Sequence, residues 1–172
     1  IMLDGLMAYA DHLAGAAREK ARYEPDARRR QELQAMAAAC DQVPRKPARS
    51  LQEALQSIWT TWIALHLENT NAGLSLGRLD QYLQPYFLSD MRALPSESAR
   101  NDYLRQAIEW VGCFYMCLTD HLPMVPDLGN YLFGGSSSDQ AITLGGITPQ
   151  GEDGVNDMTY LLLKVTEMLC LR

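Results

Sequence analysis

Two short runs constrain this chain more than anything else in it. Leu74-Ser75-Leu76-Gly77 alternates as a short strand does, and Ala141-Ile142-Thr143-Leu144 is an apolar, β-branched run ended by Gly145-Gly146. The second reads as a buried strand. The two lie far apart in sequence, so no tight hairpin joins them. They are expected to need strand partners, and this chain offers few.

The remainder is patterned as helix. Leu3, Leu6, Met7, Ala10, Leu13, Ala14 and Ala17 recur at three- and four-residue spacing, which predicts a helix over 3–23. Glu24-Pro25-Asp26 punctuates the chain, and a second helix is predicted over about 26–40, with Leu33, Met36, Ala37 and Cys40 on one face. Arg28, Arg29 and Arg30 fan around it as a solvated surface. Ser50 and Glu53 have the spacing of a capping box. The helix they open carries Leu51, Leu55, Ile58, Trp62 and Leu65 in one stripe, with Trp59, Ile63 and His66 beside it. That much apolar surface implies burial on more than one side.

Leu79, Tyr82, Leu83 and Tyr86 give helical spacing again, interrupted by Pro85. A longer helix is predicted from Leu94-Pro95-Ser96 to about 121, its inner face formed by Leu104, Ile108, Val111, Tyr115 and Leu118. Asn156 is placed to cap a last helix holding Leu161, Leu162, Val165, Met168 and Leu169.

The composition of these 172 residues is that of an ordinary globular domain, 47% hydrophobic and 21% charged. A net charge of −6 argues against a nucleic-acid binder, which needs a basic surface to displace counterions. No apolar run approaches the ~20 residues that span a bilayer, and no secretory leader is evident. Cys40, Cys113, Cys117 and Cys170 form no Cys-x-x-Cys pair and read as buried free thiols in a reducing cytosol. With only His12, His66 and His121 to add, no metal site is expected. The chain starts at Ile1 and stops at Arg172 inside an amphipathic pattern, so it is expected to be a piece of something longer.

The usual chemical signatures are missing. Gly134-Gly135 and Gly145-Gly146 lack the Gly-Lys-Ser/Thr of a phosphate loop, and there is no Gly-x-Ser-x-Gly or His-Glu-x-x-His. Asp120-His121 reads as a helix end, and Glu68 as an ion-pair partner for Arg78. Residue by residue, this is a mainly α cytosolic domain with two short strands and no complete catalytic constellation.

The ordered series of segments says more. The stretch from Tyr23 to Trp59 has Arg30 to Leu33, then Val43 to Ala48, then Glu53 to Gln56. It resembles the region before the active-site barrel of glycyl radical enzymes, the pyruvate formate-lyase superfamily. "SLGRLDQYLQPYF" is similar to that family's Ser-x-Gly-Arg-x-Asp-Gln stretch, and "ITLGGITPQGEDGVNDMTYLLL" to its Gly-Gly strand and following helix. The resemblance covers nearly the whole chain.

The resemblance implies a ten-stranded α/β barrel made of two five-stranded parallel halves. Residues 1–68 would be outer helices and 69–172 the first barrel strands and helices. It places 74–77 and 141–144 in one half-barrel, with partners further along the chain. It also implies a lyase or dehydratase in which a glycyl radical, installed by a radical SAM activating enzyme, passes to a cysteine that attacks a small-molecule substrate. The cysteine loop and radical glycine match nothing in these residues, so the chain alone is expected to bind no cofactor and to be inactive. By the family's spacing, Phe133 and Asp139 face substrate, and Asn71, Ala72 and Gly73 form a second wall. The formate-lyase branch of the family has a Trp where Asp139 stands, and its replacement by Asp favours a polar or cationic substrate. A homodimer fits this scheme; a nucleic-acid or membrane partner does not.

Two other readings stand beside it. One is a non-catalytic helical scaffold from the same family, binding a partner through its strand edges and the Trp59/Trp62 helix. The other is an unrelated helical ligand-binding domain.

Overall fold

The computed structural model describes residues 2–68, 74–120 and 141–170. Its elements are α1 (Met2–Tyr23), α2 (Ala27–Gln42), α3 (Leu51–Glu68), β1 (Ser75–Arg78), α4 (Leu79–Ala93), α5 (Glu97–Asp120), β2 (Ala141–Thr143) and α6 (Asp157–Met168). They fall into two compact units, residues 1–65 and 66–172.

In the first unit α1 packs on α2. Small residues on both helices let their backbones approach. Ala10, Ala14, Ala17 and Ala21 are buried on α1, and Leu33, Ala37 and Cys40 on α2. Ala14, Ala17, Ala37 and Cys40 form one cluster with Leu13 against it. Met36, expected on the same face, is largely exposed. Ion pairs from Arg18 to Asp41 and from Arg45 to Asp11 stitch the rim. Asp26 caps α2 by accepting the Arg29 N–H at 2.6 Å. Arg28 and Arg29 lie in solvent and pair with Glu32, as a solvated face should.

The box at the start of α3 is only half as expected. The Glu53 N–H donates to Ser50 Oγ at 3.3 Å, but the Glu53 carboxylate reaches one residue further back. It accepts the Arg49 N–H at 2.7 Å and the Arg49 guanidinium at 2.7 Å. The charged partner outcompetes the neutral Ser50 amide. Along α3, Leu51, Leu55 and Trp62 are buried, and so is Thr60 on the opposite side, which agrees with burial on more than one side. Trp59 stacks on Trp62 at 5.1 Å. Trp62 is only 1% exposed, so it is not the open docking residue of the scaffold reading.

In the second unit the two strands pair with each other, where the strand patterns alone left both without a partner. They run parallel, with Ser75 beside Ala141, Gly77 beside Ile142 and Arg78 beside Thr143, and an irregularity between Ser75 and Gly77. A parallel pair needs a long crossover, and here it includes α4 and α5. This is why a search for hairpins leaves the strands unpartnered. Nor is β2 buried: Ala141 and Thr143 are exposed and Ile142 is half-buried. β-branched residues suit a pleated surface whether or not it is covered, and a two-stranded ribbon on α4 leaves one face open.

The core of this unit joins α4, α5 and α6. α6 packs on both of the others, and Leu79, Leu83 and Phe87 of α4, Val111, Phe114, Tyr115 and Leu118 of α5, and Met158, Leu161, Leu162 and Val165 of α6 are buried. α4 runs on through Pro85 to Ala93 rather than breaking there. Of the expected inner face of α5, Val111, Tyr115 and Leu118 are buried and Leu104 is exposed, and Ala107 and Phe114 are buried beside them. Tyr103 donates to Asp90 at 2.6 Å and sits between Phe87 and Trp110.

Of the four thiols only Cys40 is buried; Cys113, Cys117 and Cys170 are exposed. Cysteines between apolar helical neighbours read as core, but these three lie on outward faces. No helix among the described residues is long and apolar enough to cross a membrane.

Candidate functional site

The polar architecture of the second unit converges on the turn after β2. Gly145 and Gly146 have φ of 63° and 84°, backbone that glycine adopts without strain. Two side chains from the β1–α4 junction hold Gly145 from both sides. The Gly145 N–H donates to Asp80 Oδ2 at 2.7 Å. Its carbonyl accepts from Arg78 Nη2, whose Nη1 donates to the Ile147 carbonyl at 3.0 Å.

Asp80 is fully buried, and its acceptors are in use. Oδ2 also takes the Thr159 hydroxyl at 2.6 Å, and Oδ1 takes the Gln81 N–H at 2.8 Å. Burial pushes this carboxyl up, but the bonds from Thr159, Gly145 and Gln81 outweigh it and hold it below the usual carboxylate range. Thr159 is itself fixed by the α6 cap. Its Oγ accepts the Asn156 N–H at 3.0 Å, while Asn156 accepts the Thr159 N–H at 3.0 Å. Asp80 therefore ties the start of α4, the turn after β2 and the start of α6.

Two glutamines on α4 extend the seam. Gln81 Nε2 donates to the Gly154 carbonyl at 2.6 Å. Gln84 accepts the Met158 N–H and donates to Asp157, both at 3.0 Å. Gly154 is small for a steric reason. A Cβ there would stand 2.6 Å from Arg78 Nη2 and 2.8 Å from the Gly146 carbonyl.

This arrangement holds; it does not react. A buried carboxylate with three donors on it has neither a proton to give nor an open approach. Arg78 directs Nη1 and Nη2 at carbonyls of the turn, and the Glu68 pairing expected for it falls outside the described side chains. Sequence reasoning took Arg78 as an ion-pair partner and missed Asp80, Gln81 and Gln84. The signal available was two polar clusters, Gly77 to Gln84 and Gly145 to Thr159, flanking the two strands.

The expected substrate-facing residues, Phe133, Asp139, Asn71, Ala72 and Gly73, lie outside the described residues, as do His121 and the Asp120 and Glu68 side chains. The first described residues after those stretches sit side by side. The Ala141 N–H donates to the Leu74 carbonyl at 3.3 Å. The parallel register thus starts both strands at one end and puts the Arg78–Asp80 clamp at the other.

The family described as "Pyruvate formate lyase-like" matches residues 1–172. Isethionate sulfite-lyase of Desulfovibrio desulfuricans is 37% identical over 166 residues, covering 95% of this chain and 19% of that protein. A glycyl radical enzyme from Archaeoglobus fulgidus superposes with a TM-score of 0.84 at 32% identity, over 98% of this chain and 21% of that one. A structure from work on 1,2-propanediol dehydration in Roseburia inulinivorans gives 0.84 at 36% identity, over 98% and 20%. The chain spans about a fifth of the length of the curated relatives it matches. Its mainly helical fold with two parallel strands is that part of their barrel, and the chain belongs to the pyruvate formate-lyase-like family of glycyl radical enzymes.

Proposed function

We propose that this chain is part of a glycyl radical lyase or dehydratase that breaks a C–C, C–O or C–N bond, and that it supplies substrate-pocket wall rather than the radical. The observation that carries this reading is the parallel pair. The chain enters both strands at one end, so the strand starts, Leu74 and Ala141, lie together, which supports a shared wall formed by the residues that precede them. A pocket wall needs that convergence, and an antiparallel pair would have separated them. Asp139 is assigned to a polar or cationic part of the substrate, and Phe133 to its apolar part.

In such an enzyme the glycyl radical supplies the hydrogen-abstracting power through a thiyl group. Among the described residues, neither the cysteines nor the glycines at the clamp fit these roles. Cys40 sits between α1 and α2, Cys113 and Cys117 lie on the outside of α5, and Cys170 follows α6. Gly145 and Gly154 are packed against Val155 and Arg78. The radical glycine, the cysteine loop and the radical SAM activating enzyme that serves them are assigned outside these 172 residues. The whole enzyme is assigned to the cytoplasm of an anaerobic cell.

The test uses the full-length protein, activated anaerobically and offered isethionate, 1,2-propanediol, glycerol and trans-4-hydroxy-L-proline, the compounds that relatives' names point to. Asp139→Ala is expected to lower turnover while the glycyl radical signal persists. Unchanged turnover would remove Asp139 from the site.

A further inference from the structure

We infer that Arg78 and Asp80 are positioning residues that fix the register of the strand pair, and through it the placement of the strand starts, by gripping Gly145 at its carbonyl and its N–H. The need for such a device follows from the size of the pair. β2 has three residues and β1 four, and three residue pairs define their register. Strands of this length carry little pairing energy of their own. A slip by one residue would move β2 by ~3.3 Å along β1 and turn its side chains to the other face.

The clamp opposes that slip from one place. Arg78 is itself the last residue of β1, paired with Thr143, and Gly145 lies two residues beyond Thr143. Arg78 and Asp80 flank Leu79 on one backbone, so their two bonds to Gly145 form a fork. A shifted Gly145 would lose both partners at once and leave the Asp80 carboxylate buried with one donor fewer. Thr159 braces Asp80 from α6, which keeps the carboxylate aimed at the Gly145 N–H. At the far end of the pair the Ala141 N–H donates to the Leu74 carbonyl, a bond that the register held at the clamp aligns. The consequence for substrate rests on the pocket-wall reading above, while the register claim does not.

The experiment is hydrogen–deuterium exchange by mass spectrometry on the full-length protein, comparing a peptide over 141–147 with one over 161–168. Thr159→Val removes the hydroxyl and keeps the shape; Thr159→Ser keeps the hydroxyl. Arg78→Lys keeps the charge and loses the fork. The Val and Lys variants are expected to exchange roughly tenfold faster over 141–147, and the Ser variant at the wild-type rate. Unchanged exchange in both Val and Lys variants would overturn the proposal. So would a Ser variant as fast as Val, or an acceleration shared equally by 161–168. Assayed on whichever of the four compounds turns over, Arg78→Lys is expected to raise KM about tenfold with radical yield unchanged. If the wild type turns over none of them, the functional reading fails and the exchange result still decides this one.

Discussion

Asp80 accepts the Gly145 N–H at 2.7 Å across 65 residues of chain, and the same oxygen accepts the Thr159 hydroxyl at 2.6 Å. Removing the carboxylate strands two buried donors. Asp80→Ala is expected to destabilise the second unit by about 2–4 kcal/mol, since each unsatisfied buried group costs ~1–3 kcal/mol. Asp80→Asn is expected to cost less, because its carbonyl can still take both donors. Thermal melts of the two variants against wild type check the order.

The same carboxylate makes the unit sensitive to acid. Its folded value is depressed, so its contribution is present above the unfolded value of ~3.9 and is lost as pH falls through the lower, folded one. Acid unfolding followed by circular dichroism should show wild type losing stability across that window. Asp80→Asn should show a flatter profile there. Parallel profiles would mean that the charge contributes nothing.

Gly154 and Gly15 are predicted to respond in opposite directions to alanine. At 154 the added carbon meets Arg78 Nη2 at 2.6 Å and the Gly146 carbonyl at 2.8 Å, an overpacking expected to cost ~1–3 kcal/mol. At 15, inside α1, nothing lies within 4 Å, so Gly15→Ala should stabilise the first unit by ~0.5–1 kcal/mol through helix propensity. Denaturant melts of both variants check the contrast.

Asn156 and Thr159 cap α6 reciprocally. Asn156→Ala should cost ~1 kcal/mol, and Asn156→Asp should be nearly neutral. A loss shared by both variants would show that the amide nitrogen of Asn156, which faces the Gly154 carbonyl at 3.4 Å, matters more than the cap.

Local chemistry made much of this legible. Asn156 is a capping residue type ahead of apolar periodicity and caps the helix expected of it, while Asp26, expected within the first turn of α2, is its cap. The alanines of α1 sit at helical spacing and are buried there. What escaped the sequence is what depends on distant partners. Nothing near Asp80 says that its donors are Gly145 and Thr159, and nothing near Ile142 says that β1 is its neighbour. Cys113 and Cys117 were misplaced because apolar neighbours on a helix do not say which way a residue faces. The parallel crossover, which sets the candidate site, is carried by pairing between residues more than sixty apart and by no local motif.

The most direct measurement is electron paramagnetic resonance of the full-length protein after anaerobic treatment with a radical SAM activating enzyme, recorded alongside turnover of the four compounds. A glycyl radical doublet is expected in wild type and in Asp139→Ala, with turnover lower in the variant. No doublet in the wild type, or equal turnover in both, would contradict this.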